Sequence, residues 1–338
     1  MTVASNRSRV VVGVDDSPGA INVVRYALQL AHERRADLVL AHAWTFPWAA
    51  GYFTAGDVRA IGSDARASIT SLVAQLDVPA AVNVEVVLAQ EPAVPFLRRL
   101  STTSALIVVG RHQHWAQRLL DGDVSSALAS SSHCPIVTVP TGWTSRPMGS
   151  VIVCLDGDTS AAGALEFAFA EVDGSRRDLV LFHAVDVKPG PDTVETERRH
   201  IAEIAAGWQE QYPSVSVRYD LGIDDAGKAI ALAARGASMV VVGSPHAHRV
   251  TWSWLYSLAR SVVNQIDCPL AVAPSAASTP IQHTRIARAS SEFARSRGRY
   301  RAPRSKGTVR ELSPKPSPRP RSPQVKRGRR VVPRRDRA

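Results

Sequence analysis

The sequence predicts an α/β protein made of two tandem open five-stranded parallel sheets, each with helices on both faces, followed by a disordered basic tail. Three observations predict it. Short apolar runs of strand length alternate with longer helix-patterned segments, the order expected of a mostly parallel sheet. The run Asp37 to Ala43 (DLVLAHA) returns as Asp178 to Ala184 (DLVLFHA), with His42 and His183 in register. Further pairs lie 133 and 134 residues apart: LIVVG ending at Gly110 with MVVVG ending at Gly243, and HCPIVTVP closing at Pro140 with DCPLAVAP closing at Pro274. A repeat of this length means two copies of one domain, not a solenoid. Composition then changes at Ala276, which sets the expected divisions at 1–144, 145–275 and 276–338.

Each element has a local reason. Residues 9 to 14 (RVVVGV) are too uniformly apolar for a half-exposed strand and predict a central parallel strand covered on both sides. Ser17 and Pro18 predict a helix start, a hydroxyl cap followed by a proline whose missing N–H costs nothing there. Ile21, Val24, Leu28 and Ala31 then keep helical spacing. A strand at 38 to 43, a helix within about 57 to 76, a strand at 82 to 88 and a short helix from Ala93 to about Ser101 follow. A fourth strand at 105 to 109, a loop with its helix, and a fifth strand at 136 to 139 complete the copy. The second copy places strands near 150–155, 178–184, 215–220, 239–242 and 269–273. In such sheets the ligand crevice lies beyond the carboxyl ends of the strands, which puts Asp15, His42 and Gly110 on one rim and Asp156, His183 and Gly243 on the other.

Charge is divided as sharply as structure. The 338 residues carry a formal charge of +11, yet the part before Ala276 holds 22 basic against 27 acidic residues. The tail holds 19 Lys and Arg, 3 acidic residues and 8 prolines, so the positive charge belongs to the tail and not to the fold. Three cysteines, Cys134, Cys154 and Cys268, are too few and too scattered for a disulfide framework or a zinc knuckle and read as small buried hydrophobes in a reducing compartment. The first residues, MTVASNRSR, lack the apolar core of a signal peptide, and no run reaches the length of a membrane helix. A cytoplasmic protein without membrane partners is expected.

After the fourth strand the copies read GRHQHWAQRLLDGDVSSAL from Gly110 and GSPHAHRVTWSWLYSLARSV from Gly243. A loop there that enters a helix can hold phosphate, because the first N–H groups of the helix are unpaired and its dipole favours an anion. On these residues the chain resembles the universal stress proteins of the tandem, two-domain type common in actinobacteria. The resemblance implies a nucleotide-binding-like fold, many of whose members bind ATP. It carries Asp15 to the acidic position at the end of the first strand and Ala41 to the adenine side of the second. Gly110 matches the first glycine of the phosphate loop, with His112 beside it. Gln113 stands at the second glycine, Gly122 at the third, and Asp123 where a hydroxyl is expected, with Val124 and Ser125 continuing the pattern. In the second copy Asp156, Gly243 and Ser257 match, while His246 and Tyr256 replace glycines.

The departures have physical weight. Gln113 puts a side chain where backbone must approach the ligand. Asp123 is a good helix cap, but its carboxylate opposes a triphosphate by about 4 kcal/mol at 4 Å and an effective dielectric near 20. A bound Mg²⁺ bridging Asp123 and phosphate would reverse that sign. His112, His114, His246 and His248 read as solvated loop residues in the absence of an acidic cluster, and Trp115, Trp252 and Trp254 as covers for an apolar loop face. No Walker lysine run, nucleophile elbow or His-Glu-x-x-His helix is present, so catalysis is not expected.

The Arg-, Pro- and Ser-rich tail cannot bury enough apolar surface to fold alone. It reads as an arm for nucleic acid or another polyanion, as a solubilising segment, or as GC-rich DNA translated out of frame. The reading overall is a stress-response regulatory or interaction protein with weakened or lost nucleotide binding. Its alternatives are an ATP or AMP sensor working through the first copy and a nucleic-acid-associated protein working through the tail. The resemblance also implies that the last strands of the two copies pair with each other, with a homo-oligomer left open.

Overall fold

The computed structural model describes residues 8–45, 55–111, 124–155, 162–185, 191–223, 225–244, 262, 265–274 and 308–312. The first copy runs β1 (Arg9–Gly13), α1 (Ala20–Glu33), β2 (Asp37–Ala43), α2 (Ala55–Ala74), β3 (Val84–Ala89), α3 (Ala93–Ser101), β4 (Leu106–Arg111), α4 (Val124–Ser131) and β5 (Ile136–Pro140). The second runs β6 (Val151–Leu155), α5 (Ala162–Val172), β7 (Leu179–Val185), α6 (Pro191–Gln211), β8 (Val217–Ile223), α7 (Ala226–Ala233), β9 (Met239–Gly243) and β10 (Leu270–Ala273). A last strand, β11, covers Thr308–Leu312.

All eleven strands form one sheet in the order β11-β3-β2-β1-β4-β5-β10-β9-β6-β7-β8. Within each copy the order is that of an open doubly wound sheet, every pair is parallel, and the second copy mirrors the first. The copies meet where β5 and β10 pair antiparallel, with Leu270 opposite Thr138 and Val272 opposite Ile136. The expected pairing of the last strands is therefore present inside one chain, and it fuses the two predicted sheets into one. The Thr138 hydroxyl donates to the Leu270 carbonyl at 3.2 Å, which satisfies the polar side chain buried between these two strands.

Burial explains the layers. β1, β2, β4 and β5 are apolar on both faces because helices cover both. α1 buries Val23, Val24, Ala27, Leu28, Leu30 and Ala31. The core on this side of the sheet is continuous from Val10 and Leu106 of the first copy through Val137 and Val139 to Val151 and Phe169 of the second. The opposite side holds two separate cores, one around Phe96 and Leu128, the other around Phe182 and Ile230.

Polar contacts lock the seam. The Glu171 carboxylate, 2% exposed, meets the guanidinium of Arg34 from the first copy and that of Arg177 at 3.2 Å. Arg34 also lies 5.2 Å from the Phe167 ring centroid. Arg146, in the connection between copies, makes a two-pronged contact with Asp267 at 2.9 and 2.5 Å.

Two expectations are corrected. The first helix starts at Ala20 with Gly19 before it, not at Ser17 and Pro18, because the Ser17 hydroxyl is spent on Asp15 at 2.6 Å instead of on a helix N–H. The fourth strand continues through Gly110 and Arg111, so Gly110 is a strand residue rather than the first of a loop. Within the tail, 308–312 pair in parallel with β3, whose outer edge offers backbone groups to an extended segment.

Candidate functional site

β1 ends at Gly13, and the chain leaves the sheet through Val14 and Asp15. Two bonds fix that exit. The Val14 N–H donates to the Ala41 carbonyl at 2.9 Å, and His42, 4% exposed, reaches the Val14 carbonyl with Nδ1 at 2.9 Å. A carbonyl only accepts, so His42 carries its proton on Nδ1. His183 makes the same bond to the Leu155 carbonyl at 2.8 Å. The paired histidines that mark the repeat are thus ties that set where each first strand releases the chain. The sequence placed them on the rim but gave no sign of this bond.

Beyond the tie, Asp15 accepts from the Ser17 N–H at 3.1 Å and from its hydroxyl. Asp16 accepts from Ser68 of α2 at 3.2 Å. Gly110 lies across the sheet at the end of β4, opposite Val139, and a Cβ there would meet Val23 at 3.2 Å. Arg111 follows. Its guanidinium donates to the Ile266 carbonyl of the second copy at 2.8 Å, and burial lowers its pKa from the ordinary value. The helix expected near Val124 begins there as α4, which includes Ser125. His112, Gln113, Gly122, Asp123, Asp156 and Ser257 lie outside the described residues, as do the loop tryptophans.

Ala41 is 2% exposed and pairs with Gly13 on one side and Val87 on the other. With its carbonyl taken by Val14 and its methyl group in one core with Phe96 and Leu97, it offers a ligand almost no surface. The side of the sheet that carries Ala41 is lined at the rim by small residues, Gly13, Ala43 and Ala89. The β2–β3 register, His42 opposite Leu88, matches His183 opposite Leu221, so Ala41 corresponds to Phe182, Ala89 to Gly222 and Gly13 to Cys154. The second copy is filled at this point. Phe182 is 2% exposed, and a Cβ on Gly222 would stand 2.6 Å from its Cζ and 2.7 Å from Ala229 Cβ. Gly222 is a glycine because the Phe182 ring occupies its side-chain space.

Cys154 takes part in the same filling. Burial pushes its thiol up to about 12, as it does that of Cys134, and that of Cys268 to about 11. All three are uncharged at neutral pH and unsuited to nucleophilic work. Among the described residues no group of three His, Cys, Asp or Glu gathers that could hold a metal ion. No described helix is long and apolar enough to cross a membrane.

The model of the universal stress protein family matches residues 6–140 and again 148–274. The chain belongs to the universal stress protein family. Its two matches coincide with the two halves of the mirrored sheet, which makes it a tandem member. A universal stress protein of Mycobacterium tuberculosis is 34% identical over 266 residues, covering 72% of this chain and 89% of that one. A universal stress protein structure from Archaeoglobus fulgidus superposes with a TM-score of 0.63 at 17% identity, over 79% of this chain and 96% of that one. A shorter universal stress protein, solved in complex with cAMP, is 24% identical over 40% of this chain, with a TM-score of 0.29.

Proposed function

We propose that this tandem universal stress protein is a non-catalytic regulator in which only the first copy retains room for an adenine nucleotide, and that its binding there is weakened. The observation that carries this reading is the exchange of Ala41 and Ala89 for Phe182 and Gly222. In the first copy these positions carry small residues, buried in one core with Phe96 and Leu97, whereas the second carries a phenyl ring. The residues of the first copy that suit a nucleotide are Gly110, where backbone comes close, and the N-terminus of α4 for phosphate, while Leu97 packs over Gly13. Gln113 and Asp123 oppose it, the first by bulk and the second by charge. Mg²⁺, where present, would supply the positive charge that lets Asp123 share the site with phosphate.

Calorimetric titration of the full chain with MgATP tests this reading. The parent protein is expected to bind weakly, Asp123→Ser to bind at least tenfold tighter, and Ala41→Phe on that background to lose the gain. Tightening that survives Ala41→Phe would place the site elsewhere and sink the assignment. A second reading rests on the 19 basic residues after Ala276: an arm for polyanions. It requires that a salt-sensitive shift of DNA by the full chain be lost when those residues are removed.

A further inference from the structure

We propose that residues 308–312 are an edge guard, which closes the outer edge of the first copy in cis and keeps it from pairing with a second copy of this chain. The two ends of the sheet motivate this. β3 and β8 are equivalent by register, yet they solve the problem of a free edge differently. β8 (VRYDLGI) carries exposed Arg218 and Asp220, charges that discourage strand addition, and no strand lies beyond it among the described residues. Arg218 is held in place by Asp178 at 3.2 Å. β3 (VEVVLA) has one charged residue, Glu85, and neither lysine, proline nor glycine to blunt it. The undefended edge is the one that the tail strand covers.

The hydrogen-bond phase shows which groups are at stake. Leu38 donates to the Asn83 carbonyl and Trp44 to the Ala89 carbonyl, so the odd-numbered residues of β3 face β2. Val86 and Leu88 therefore direct their N–H and C=O groups outward. Register places Val86 opposite Val309 and Leu88 opposite Glu311, which aims the N–H and C=O groups of Thr308, Arg310 and Leu312 at β3. An apolar edge left with these groups open is a template for another strand.

Chain length permits the contact within one molecule. β10 is antiparallel to β5, so it ends at the margin where the strands of the first copy begin, and Thr308 opposite Glu85 starts β11 at that same margin. The span from β10 to β11 crosses six strand spacings, about 29 Å. The 33 residues between Pro274 and Thr308 are enough to cross it, since that many residues can extend to at most about 110 Å. Tethering within one chain raises the local concentration of the segment, which favours closure in cis over exchange between molecules.

Two proline variants of the full chain separate the proposal from its rivals. Arg310→Pro removes an N–H aimed at β3, whereas Val309→Pro removes one aimed away. Amide exchange and sedimentation velocity are the readouts. Arg310→Pro is expected to speed exchange at Val86 and Leu88 at least tenfold, to leave Val87 unchanged, and to produce concentration-dependent self-association. Val309→Pro should behave as the parent. Unchanged exchange in Arg310→Pro, or equal effects of the two prolines, would overturn the contact. Faster exchange without self-association would overturn the guarding role. Protection in the parent chain that falls on dilution would overturn closure in cis.

Discussion

The two copies fold alike and differ at the strand ends. In the first, Ala41 and Ala89 are buried in one core with Phe96 and Leu97. In the second, Phe182 packs over Gly222. Gly222 makes way for part of the ring, so the exchange is a repacking and not a loss of fold. It teaches that duplicated domains can diverge at the strand ends without surrendering their cores, because a ring buried from solvent also stabilises the half that holds it.

Removing the ring should break this difference with the largest effect. Phe182→Ala is expected to cost about 3–5 kcal/mol, measured by urea unfolding, because the site cannot collapse onto the sheet. Ala41→Phe should cost less than this if the first copy has free space there, and comparison of the two curves tests that point. Gly222→Ala should lose about 1–3 kcal/mol through the clash with Phe182 and Ala229. Combined with Phe182→Ala, most of that penalty should vanish, and additive losses would show that the two residues are not coupled.

A smaller effect follows from Cys154, the counterpart of Gly13, and from its buried fellows. An unfolded thiol titrates near 9.0, while the folded values of Cys134 and Cys154 stand at about 12 and that of Cys268 at about 11. The folded chain holds these protons more tightly, so their contribution is complete below pH 9 and declines as pH rises from 9 toward 12. The urea midpoint should fall between pH 8 and pH 10.5, and less steeply in Cys154→Ala. The smallest effect concerns the helix ends that follow α1 and α5. Gly174 takes φ 73° without cost, whereas Arg35 takes φ 51° as a residue with a Cβ. Arg35→Gly should raise stability by about 1 kcal/mol.

The alternation of strands and helices, the β5–β10 pairing and the filled second site were legible to different degrees. Strands buried on both faces stand out as apolar runs, so β1, β4 and β9 are plain in the sequence. Pairing of the last strands followed from resemblance to a family, not from any local pattern in HCPIVTVP. The change from DLVLAHA to DLVLFHA was visible, but a phenylalanine in a buried strand looks like ordinary core. Its meaning depends on Gly222, which register alone brings beside it. The helix start differs from the sequence pattern because the Ser17 hydroxyl donates to Asp15 where a cap would accept from a helix N–H. β11 was hidden because Thr-Val-Arg-Glu-Leu is five residues in a segment whose composition argues against structure, and its reason lies 223 residues earlier, in the bare edge of β3.

The seam between the copies has a geometric consequence. Because β5 and β10 run in opposite directions, the strand ends that carry Asp15 and Gly110 point to one pole of the molecule and those that carry His183 and Gly243 to the other. A single partner docked at one pole cannot touch both. The two rims therefore face away from each other instead of sharing one cleft.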